Sequence, residues 1–224
     1  YFIESLTADY VTAAWEKFLA IEEAGGIDAY AATLQGEIEA VYNERLKQVE
    51  TRKTSLIGTN IYANPVDELP AEENAQFAGV KRLAIPFENI RQSFADLNAK
   101  IGILTIGELK DFKPRADFVA GVLATAAVVA EQSPAITDIE EAKAWIKDGG
   151  YQYVIVAATD DLTKEFVPAL LEAKPANVMM DVAGKFKDEQ DAWMAAGLND
   201  FVHAGQNIIG KLTAIAKGVK EVRV

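Results

Sequence analysis

Apolar positions in the first fifty residues recur with the spacing of an α-helix. The first apolar stripe consists of Val11, Trp15, Phe18 and Leu19. It ends at Gly25-Gly26, where a glycine in the left-handed conformation can terminate a helix. The members of a second stripe are Ile27, Tyr30, Ala31, Leu34, Ile38, Val41, Tyr42, Leu46 and Val49. The pattern therefore predicts two helices within residues 9–52.

After residue 52 the helical spacing is lost. The run 55-SLIGTNIYANP-65 is rich in β-branched residues and closes on Asn64-Pro65, which predicts a strand followed by a turn. The acidic run 67-DELPAEEN-74 contains a proline and is typical of a linker. We therefore divide the chain into a helical segment at 1–66, a linker at 67–99 and a domain at 100–224.

From residue 100 onward, short apolar runs alternate with amphipathic ones. The predicted strands are 100–106, 127–131, 153–158, 177–182 and 200–203. The predicted helices are 115–126, 138–148, 160–173, 187–197 and 206–219. Continuously apolar strands are expected where helices cover both faces of a sheet. The alternation predicts an α/β domain of the flavodoxin-like (Rossmann-like) class, with a five-stranded parallel sheet and helices on both faces.

Composition narrows the range of partners and compartments. The chain has 224 residues and a formal net charge of −12, which argues against nucleic acid and membrane surfaces as partners. It contains no cysteine, which excludes disulfides and thiolate chemistry. We see no signal-peptide pattern and no apolar run of the roughly 18 residues that a membrane span needs. We therefore expect a cytoplasmic protein, and the start at Tyr1 fits a fragment of a longer chain.

The loops that follow the predicted strands are where ligands bind in an open α/β sheet. None of these loops has the glycine-rich pattern that cradles a phosphate. A phospho-acceptor domain is also disfavoured, because strand three ends in Ala157-Ala158 and strand five in His203. The loop 105-TIGELKDFKPRADF-118 lies at the usual crevice and contains neither a histidine nor a glycine-rich cradle.

Two polar groups near the strand ends have more than one interpretation. Asp160-Asp161 fits a metal or acid–base pair, but capping of the helix that begins there is favoured. His203 is the only histidine, and a hydrogen-bonded structural role is favoured over that of a lone axial ligand or general base. Trp15, Trp145 and Trp193 are interpreted as core or interface anchors.

Four segments together resemble those of one enzyme family. The run 2-FIESLT-7 is similar to the exit from the last strand of that family's barrel, and 15-WEKFLAIEEAGGIDAYAATLQGEIEAVYNER-45 to the helices that follow. The segment 52-RKTSLIGTNIYANP-65 resembles the family's R…I-G-x-N-x-Y signature. The segment 82-RLAIPFENIR-91 resembles its R-x-x-x-P-F-E-x-[LI]-R motif. The family that these segments resemble is the methylmalonyl-CoA mutase family. The resemblance continues through the α/β half, and so covers nearly the whole chain.

The resemblance implies both an architecture and an activity. The family joins a TIM barrel that binds acyl-CoA to a flavodoxin-like cobalamin domain, and its enzymes are isomerases. Residues 1–66 would then come from the end of the barrel and its connection, and residues 100–224 would form the cobalamin-binding-like domain. The chain would be a C-terminal fragment of such a protein.

The family's cobalt-binding motif, D-x-H-x-x-G, is absent after the first predicted strand. Counted forward from the strand or back from the helix, its positions fall on Leu109, Asp111 and Pro114, or on Lys110, Phe112 and Arg115. Cofactor-binding members have small residues after strands three and four, where this chain has 157-AATD-160 and 181-DVAG-184. The resemblance therefore implies a degenerate domain without catalytic, cofactor-binding or metal-binding residues.

We predict a small (beta) subunit of a heterodimeric methylmalonyl-CoA mutase, whose partner is the large catalytic subunit. That subunit would hold adenosylcobalamin and interconvert succinyl-CoA and methylmalonyl-CoA, a step of propionate metabolism. In the loop 105–118 we expect Phe112 and Pro114 to pack, and Arg115 to pair with a carboxylate at a helix start or interface. Two alternatives stay open. One is a working cobalamin module that uses His203 or a base-on cofactor, and the other is a stand-alone flavodoxin-like domain for another ligand.

Overall fold

The computed structural model describes residues 1–69 and 79–222, which form two compact units, Tyr1–Leu46 and Lys47–Val224. The elements are α1 (Phe2–Glu23), α2 (Ile27–Glu50), α3 (Ile85–Ala95), β1 (Ile101–Thr105), α4 (Leu109–Thr125), β2 (Glu131–Gln132), α5 (Ile139–Asp148), β3 (Tyr153–Ala157), α6 (Asp160–Ala173), β4 (Met179–Ala183), α7 (Gln190–Ala195), β5 (Asp200–Val202) and α8 (Ile208–Glu221). Among the described helices, none combines the length and the apolar character that crossing a membrane requires.

The first unit contains α1 and most of α2. Gly25 and Gly26 have φ angles of 98° and 87° and end α1, which confirms the predicted glycine stop. The Glu37 carboxylate accepts hydrogen bonds at 2.7 Å from the ammonium group of Lys17 and from the hydroxyl of Tyr30. The run 2-FIESLT-7 is helical and belongs to α1. Its conformation therefore differs from that of the strand exit with which its sequence was compared. Every residue of α1 is at least partly exposed.

The second unit is built on a five-stranded sheet with the order β2-β1-β3-β4-β5. Each neighbouring pair of strands is parallel. Strands β1 and β3 pair along their whole length, from Ile101 opposite Tyr153 to Thr105 opposite Ala157. All residues of these two strands are buried, as expected for strands that are covered on both faces. The flavodoxin-like class predicted for this region is confirmed.

Two apolar clusters cover the two faces of this sheet. Helices α3, α4 and α8 contribute to one cluster, and α5, α6 and α7 to the other. Alternate residues of a strand point to opposite faces, so Tyr153 and Ile155 join the first cluster while Val154 and Val156 join the second. The sheet is therefore the middle layer of three.

The tryptophans differ in their surroundings. Trp145 stacks on Tyr151 with 4.3 Å between ring centroids, and Trp193 is buried 5.2 Å from Phe186. Both are core anchors, as predicted. Trp15, by contrast, is 60% exposed on α1, so a core role is wrong for this residue and an interface role stays a prediction.

Residues 55–65 do not form the predicted strand. Their only β-type pairing is an isolated bridge between Ile57 and Ile61. The buried side chain of Asn60 donates to the carbonyls of Val49 and Thr54 at 2.8 and 2.9 Å, and accepts from the Leu56 N–H at 2.7 Å. These side-chain bonds satisfy the local backbone, which outweighs the strand preference of the β-branched residues.

The predicted linker at 67–99 contains helix α3, whose residues Phe87, Ile90 and Phe94 are buried in the core. Their spacing is helical, although the acidic run before them is typical of a linker. Residues 70–78 of that linker lie outside the described residues. Along the chain, the boundary between the two compact units falls after Leu46. The predicted division at residues 66 and 99 stays a prediction.

Arg52 and Arg91 fasten this connecting region to the end of α4. Arg52 donates to the Gly121 carbonyl at 2.8 Å and to the Thr125 hydroxyl at 3.0 Å. Arg91 donates to the carbonyls of Ala124 and Thr125, each at 3.3 Å. The last carbonyls of a helix carry partial negative charge, so they attract both guanidinium groups. The two segments that resembled mutase signatures therefore act as anchors within the second unit.

Two elements of the α/β region begin four or more residues from their predicted starts. Strand β2 occupies Glu131–Gln132, because Ala127 takes a φ of 59° and turns the chain after α4. Helix α4 begins at Leu109 instead of residue 115, because Phe112 is only 4% exposed and packs in the core. Pro114 lacks one helical N–H donor, and the burial of Phe112 compensates for this loss.

Candidate functional site

The strand order places the usual ligand crevice of this fold between β1 and β3. From β1 the chain passes through α4 to β2 on one side, and from β3 it passes through α6 to β4 on the other. Ligands of doubly wound sheets bind at such a switch point, outside the carboxyl ends of the strands. The loops at 106–108 and 158–159 meet there.

The side chain of Arg115 occupies this crevice. One guanidinium nitrogen, Nη1, donates to the Ala158 carbonyl at 2.6 Å, and the other, Nη2, pairs with the carboxylate of Asp160. The guanidinium also lies over the ring of Phe186, 5.5 Å from its centroid. Because Asp160 is in the first turn of α6, the prediction that Arg115 pairs with a carboxylate at a helix start is confirmed. One side chain thus connects α4 with the loops after β3 and β4.

Two glycines draw the neighbouring loops tightly together. Gly107 has a φ of 95°, and a Cβ atom there would lie 2.6 Å from Leu162 Cδ1 and 2.9 Å from a carboxylate oxygen of Asp111. Gly184 has a φ of 134°, and a Cβ atom there would lie 2.8 Å from Phe186 and 3.3 Å from Arg115 Cζ. The chain's own side chains therefore fill the space beside both loops.

The positions compared with the cobalt-binding motif lie mainly in helix α4. Asp111 accepts a hydrogen bond from the Glu108 N–H at 2.9 Å, which stabilises the helix start. Phe112 is buried, while Pro114 lies inside the helix. The expectation of packing is confirmed for Phe112 and wrong for Pro114, which is exposed, and the expectation of a loop is also wrong. The crevice between β1 and β3 contains no imidazole, and the side chain of Arg115 lies in it.

His203 lies far from this crevice. It follows β5, which is three strand positions from β1 in the sheet order. Neighbouring strands are about 4.8 Å apart, so the separation is roughly 14 Å. The His203 Nδ1 atom lies 3.0 Å from the Ala204 carbonyl, and the backbone N–H donates to Gln206 Oε1 at 3.3 Å. These bonds agree with the structural interpretation of this histidine.

A buried cluster of charged and polar groups lies on the face of the sheet under α8. The Tyr153 hydroxyl donates to Asp181 Oδ2 at 2.5 Å, and Lys211 Nζ lies 2.6 Å from the same oxygen. Lys211 also pairs with Asp200 at 2.7 Å. Asp181 is 1% exposed, and its other oxygen, Oδ1, accepts no hydrogen bond from the described residues.

Burial governs the protonation of this cluster. It raises the pKa of Asp181, while Lys211 and the Tyr153 hydroxyl act in the opposite direction. Burial, together with the charge of Asp181, also raises the pKa of Tyr153 well above 10.0, so the hydroxyl remains a donor. The resemblance implied that cofactor-binding relatives have small residues near the end of β4. Here Asp181 and its partners fill the sheet face beneath that position.

Sequence reasoning did not find Lys211 and Tyr153. The signal for Lys211 was present, because it lies on the apolar stripe of α8 beside Ile208, Leu212 and Ile215. A lysine on a buried stripe requires a charged partner inside the protein. Tyr153 carried no comparable signal, because tyrosine is common in buried strands.

Asp160 and Asp161 both lie in the first turn of α6, and the N-cap is Thr159, which accepts from the Leu162 N–H. The capping interpretation is therefore right about the helix start and wrong about the N-cap residue. Within residues 1–69 and 79–222, no group of three or more His, Cys, Asp or Glu side chains is arranged to hold a metal ion.

The fold and the crevice define a flavodoxin-like domain preceded by a helical segment. The family described as methylmalonyl-CoA mutase has a model that matches residues 1–98. The methylmalonyl-CoA mutase small subunit of Porphyromonas gingivalis is 25% identical over 96% of this chain and 37% of its own length. In both comparisons the chain is similar to proteins of the methylmalonyl-CoA mutase family.

Two further relatives agree with this assignment. A probable methylmalonyl-CoA mutase small subunit of Mycobacterium tuberculosis is 27% identical over 95% of this chain and 35% of its own length. The methylmalonyl-CoA mutase small subunit of Streptomyces virginiae is 27% identical over 96% of this chain and 36% of its own length. The chain thus spans about a third of the length of these relatives.

Proposed function

We propose that this chain is the C-terminal part of a methylmalonyl-CoA mutase small subunit, and that its α/β domain supports the enzyme without binding cobalamin. The relatives named as small subunits support the first part of this proposal. The observation that carries the second part is the position of Arg115, which fills the switch-point crevice through Ala158, Asp160 and Phe186.

Three separate features oppose cofactor binding by this domain. The crevice is occupied by Arg115, a side chain only 28% exposed. The motif positions that would supply a lower cobalt ligand begin a helix and include the buried Phe112. The sheet face near the end of β4 is filled by the ionic cluster around Asp181. A ligand would have to displace all three, and two of them belong to the core.

The proposal assigns the chemistry to a large subunit. In that partner, adenosylcobalamin would supply the radical that isomerises succinyl-CoA and methylmalonyl-CoA. The present chain would contribute folded surface. The exposed apolar residues of α1, among them Tyr10, Trp15 and Phe18, suit a contact with the remaining two thirds of a small subunit.

The cofactor part of the proposal is tested by titrating the purified chain with adenosylcobalamin and with hydroxocobalamin. We expect no change in the corrinoid absorbance bands, and no corrinoid retained with the protein after desalting. A mutase large subunit, treated in parallel, is the positive control. Retention of one corrinoid per chain would overturn the proposal.

The variant His203→Ala separates the remaining alternatives in the same assay. If the unaltered chain retains corrinoid and the variant does not, His203 is a ligand and the domain is a working cobalamin module. If both retain it with a base-on spectrum, binding is independent of a protein histidine. Native mass spectrometry of the purified chain tests the third alternative, a stand-alone domain with another small ligand.

The subunit part of the proposal requires a separate measurement. We expect a large subunit of the same family to co-purify with this chain from the source cell under native conditions. Recovery of the folded chain without such a partner would contradict the supporting role, while leaving the absence of cobalamin binding intact.

A further inference from the structure

A second site lies at the same edge of the sheet, near the ends of β4 and β5. It is a cavity of about 180 Å³. The residues that line it include Lys185, Phe186, Lys187, Gln190, Phe201 and His203. We propose that this cavity binds a small oxyanion of the size of inorganic phosphate, independently of the function proposed above.

The charges around the cavity favour an anion. Lys185 and Lys187 are both exposed, and neither forms an ion pair with any residue that the structure describes. Unpaired lysines are notable in a chain whose net charge is −12. Two ammonium groups on one small cavity repel each other, and an anion between them would relieve this repulsion.

His203 adds a third group that can contact the ligand. Its Nδ1 atom lies 3.0 Å from the Ala204 carbonyl, which can only accept, so Nδ1 carries the hydrogen. No described residue forms a hydrogen bond with the Nε2 atom, and His203 lines the cavity. A neutral imidazole accepts a hydrogen bond there from a protonated oxyanion, and an imidazolium donates one.

The one carboxylate at the cavity is already engaged. Asp200 also lines it, and its Oδ2 atom lies 2.7 Å from Lys211 Nζ. Lys211 is almost fully buried and approaches from α8. Lys211 is shared with Asp181, so it offsets part of the charge of Asp200, and the two lysines and the histidine outnumber this carboxylate at the cavity.

The cavity is also preorganised. Phe186 is 4% exposed and packs 5.2 Å from the ring of Trp193 and 6.2 Å from that of Phe201, which fixes the backbone between the two lysines. Gln206 donates to the Phe201 carbonyl at 3.1 Å and accepts from the His203 N–H at 3.3 Å, which fixes the other side. The backbone around the cavity would therefore lose little conformational entropy on binding, and the main ordering cost would come from the two exposed lysine side chains.

The size of the cavity limits the class of ligand. At about 30 Å³ per water molecule, 180 Å³ corresponds to about six waters. Sites for cofactors and drug-sized molecules start at roughly 300 Å³. A nucleotide is therefore too large to be enclosed, whereas a free oxyanion fits.

The single histidine makes the test direct, because the chain then gives one imidazole Hε1 signal in the NMR spectrum. The full chain is titrated with phosphate at constant pH, and chloride keeps the ionic strength constant. We expect a saturable shift of the His203 signal. In the variant Lys185→Met/Lys187→Met the apparent affinity should fall by about tenfold or more, since two charge-assisted contacts are lost.

The matched control is Lys113→Met/Lys217→Met, which removes the same charge from side chains that are 55% and 79% exposed elsewhere. This variant should bind phosphate as the unaltered chain does. Circular dichroism checks that each variant is folded, and Lys185→Gln/Lys187→Gln replaces the methionine variant if that one does not fold. A shift that does not saturate, or equal losses of affinity in the test and control variants, would overturn the proposal.

Acetate in place of phosphate distinguishes the two common sources of an oxyanion. Saturation by phosphate alone assigns the cavity to phosphate, and saturation by both assigns it to oxyanions in general. If neither anion gives a saturable shift of the His203 signal, the cavity does not bind an oxyanion and the proposal is wrong.

Discussion

Arg115 and Lys211 each connect elements of the second unit through carboxylates, but their surroundings differ. Arg115 lies at the rim of the sheet, where its side chain is 28% exposed and that of Asp160 is 65% exposed. Lys211 lies inside, where its side chain is 4% exposed and that of Asp181 is 1% exposed. The same type of ion pair is therefore placed once in contact with water and once in the core.

The difference in exposure determines what each pair does. Water and salt weaken an exposed ion pair, which typically contributes about 0–1 kcal/mol to the free energy of unfolding. Loss of one partner in a buried pair leaves the other charge without compensation, and this costs about 3–5 kcal/mol. We infer that Lys211 is needed for the fold, whereas Arg115 mainly controls whether the crevice is filled.

The largest expected effect is that of Lys211→Met. The substitution keeps most of the apolar stem but leaves Asp181 buried without its cation. The free energy of unfolding should fall by about 3–5 kcal/mol, measured by urea denaturation of the full chain at neutral pH. The exposed Lys217→Met is the control, with an expected change within about 0.5 kcal/mol. A loss below about 1 kcal/mol for Lys211→Met would show that the buried cluster does not hold the sheet and α8 together.

A smaller effect is expected from Asp181→Asn, and it should depend on pH. Burial raises the pKa of Asp181 above its ordinary value of 3.8, so between these two values the folded chain binds more protons than the unfolded chain. The contribution of Asp181 to stability is therefore fully present below pH 3.8 and is lost as the pH rises through the raised pKa. The asparagine does not titrate. Relative to the unaltered chain, the variant should accordingly gain stability as the pH rises.

The measurement is a series of urea denaturations of both chains between about pH 4 and pH 7. Taking the difference at each pH removes the contribution of carboxylates that the two chains share. A difference that stays constant or falls with pH would contradict the assignment of a raised pKa to Asp181.

The smallest expected effect on stability is that of Arg115→Ala. It removes one partly exposed ion pair and one hydrogen bond to the Ala158 carbonyl, so the free energy of unfolding should fall by about 1 kcal/mol. The exposed Lys113→Ala, which loses its pair with Asp117, is the control and should change less. A loss as large as that of Lys211→Met would remove the contrast between rim and core.

The sequence predicted the parts of the fold that depend on local pattern. Helix α6 lies where it was predicted, and β1, β3 and β4 lie within two residues of their predicted bounds. The error at α4 arose because Pro114 is a helix breaker by local rules, whereas the burial of Phe112 is a long-range effect. The error at residues 55–65 arose because Asn60 binds the backbone of Val49, which the pattern of β-branched residues does not reveal.

The candidate site was predictable in part. The position of Arg115 at the crevice was enough to predict that it pairs with a carboxylate. Its partner is Asp160 because α4 packs against β3 and β4, which the sequence does not reveal. The cavity beside His203 was not predicted at all. Its residues come from two loops whose proximity depends on the pairing of β4 with β5.

The sequence by itself determined the alternation of strands and helices, the resemblance to the methylmalonyl-CoA mutase family and the absence of a cobalt-ligating histidine after β1, because these depend on residue identity and spacing. The tertiary structure decided which charges are buried, that Arg115 fills the crevice and that Lys185, Lys187 and His203 share a cavity. Such contacts join residues that are distant in the chain, and their strength depends on burial, which the order of residues alone does not fix.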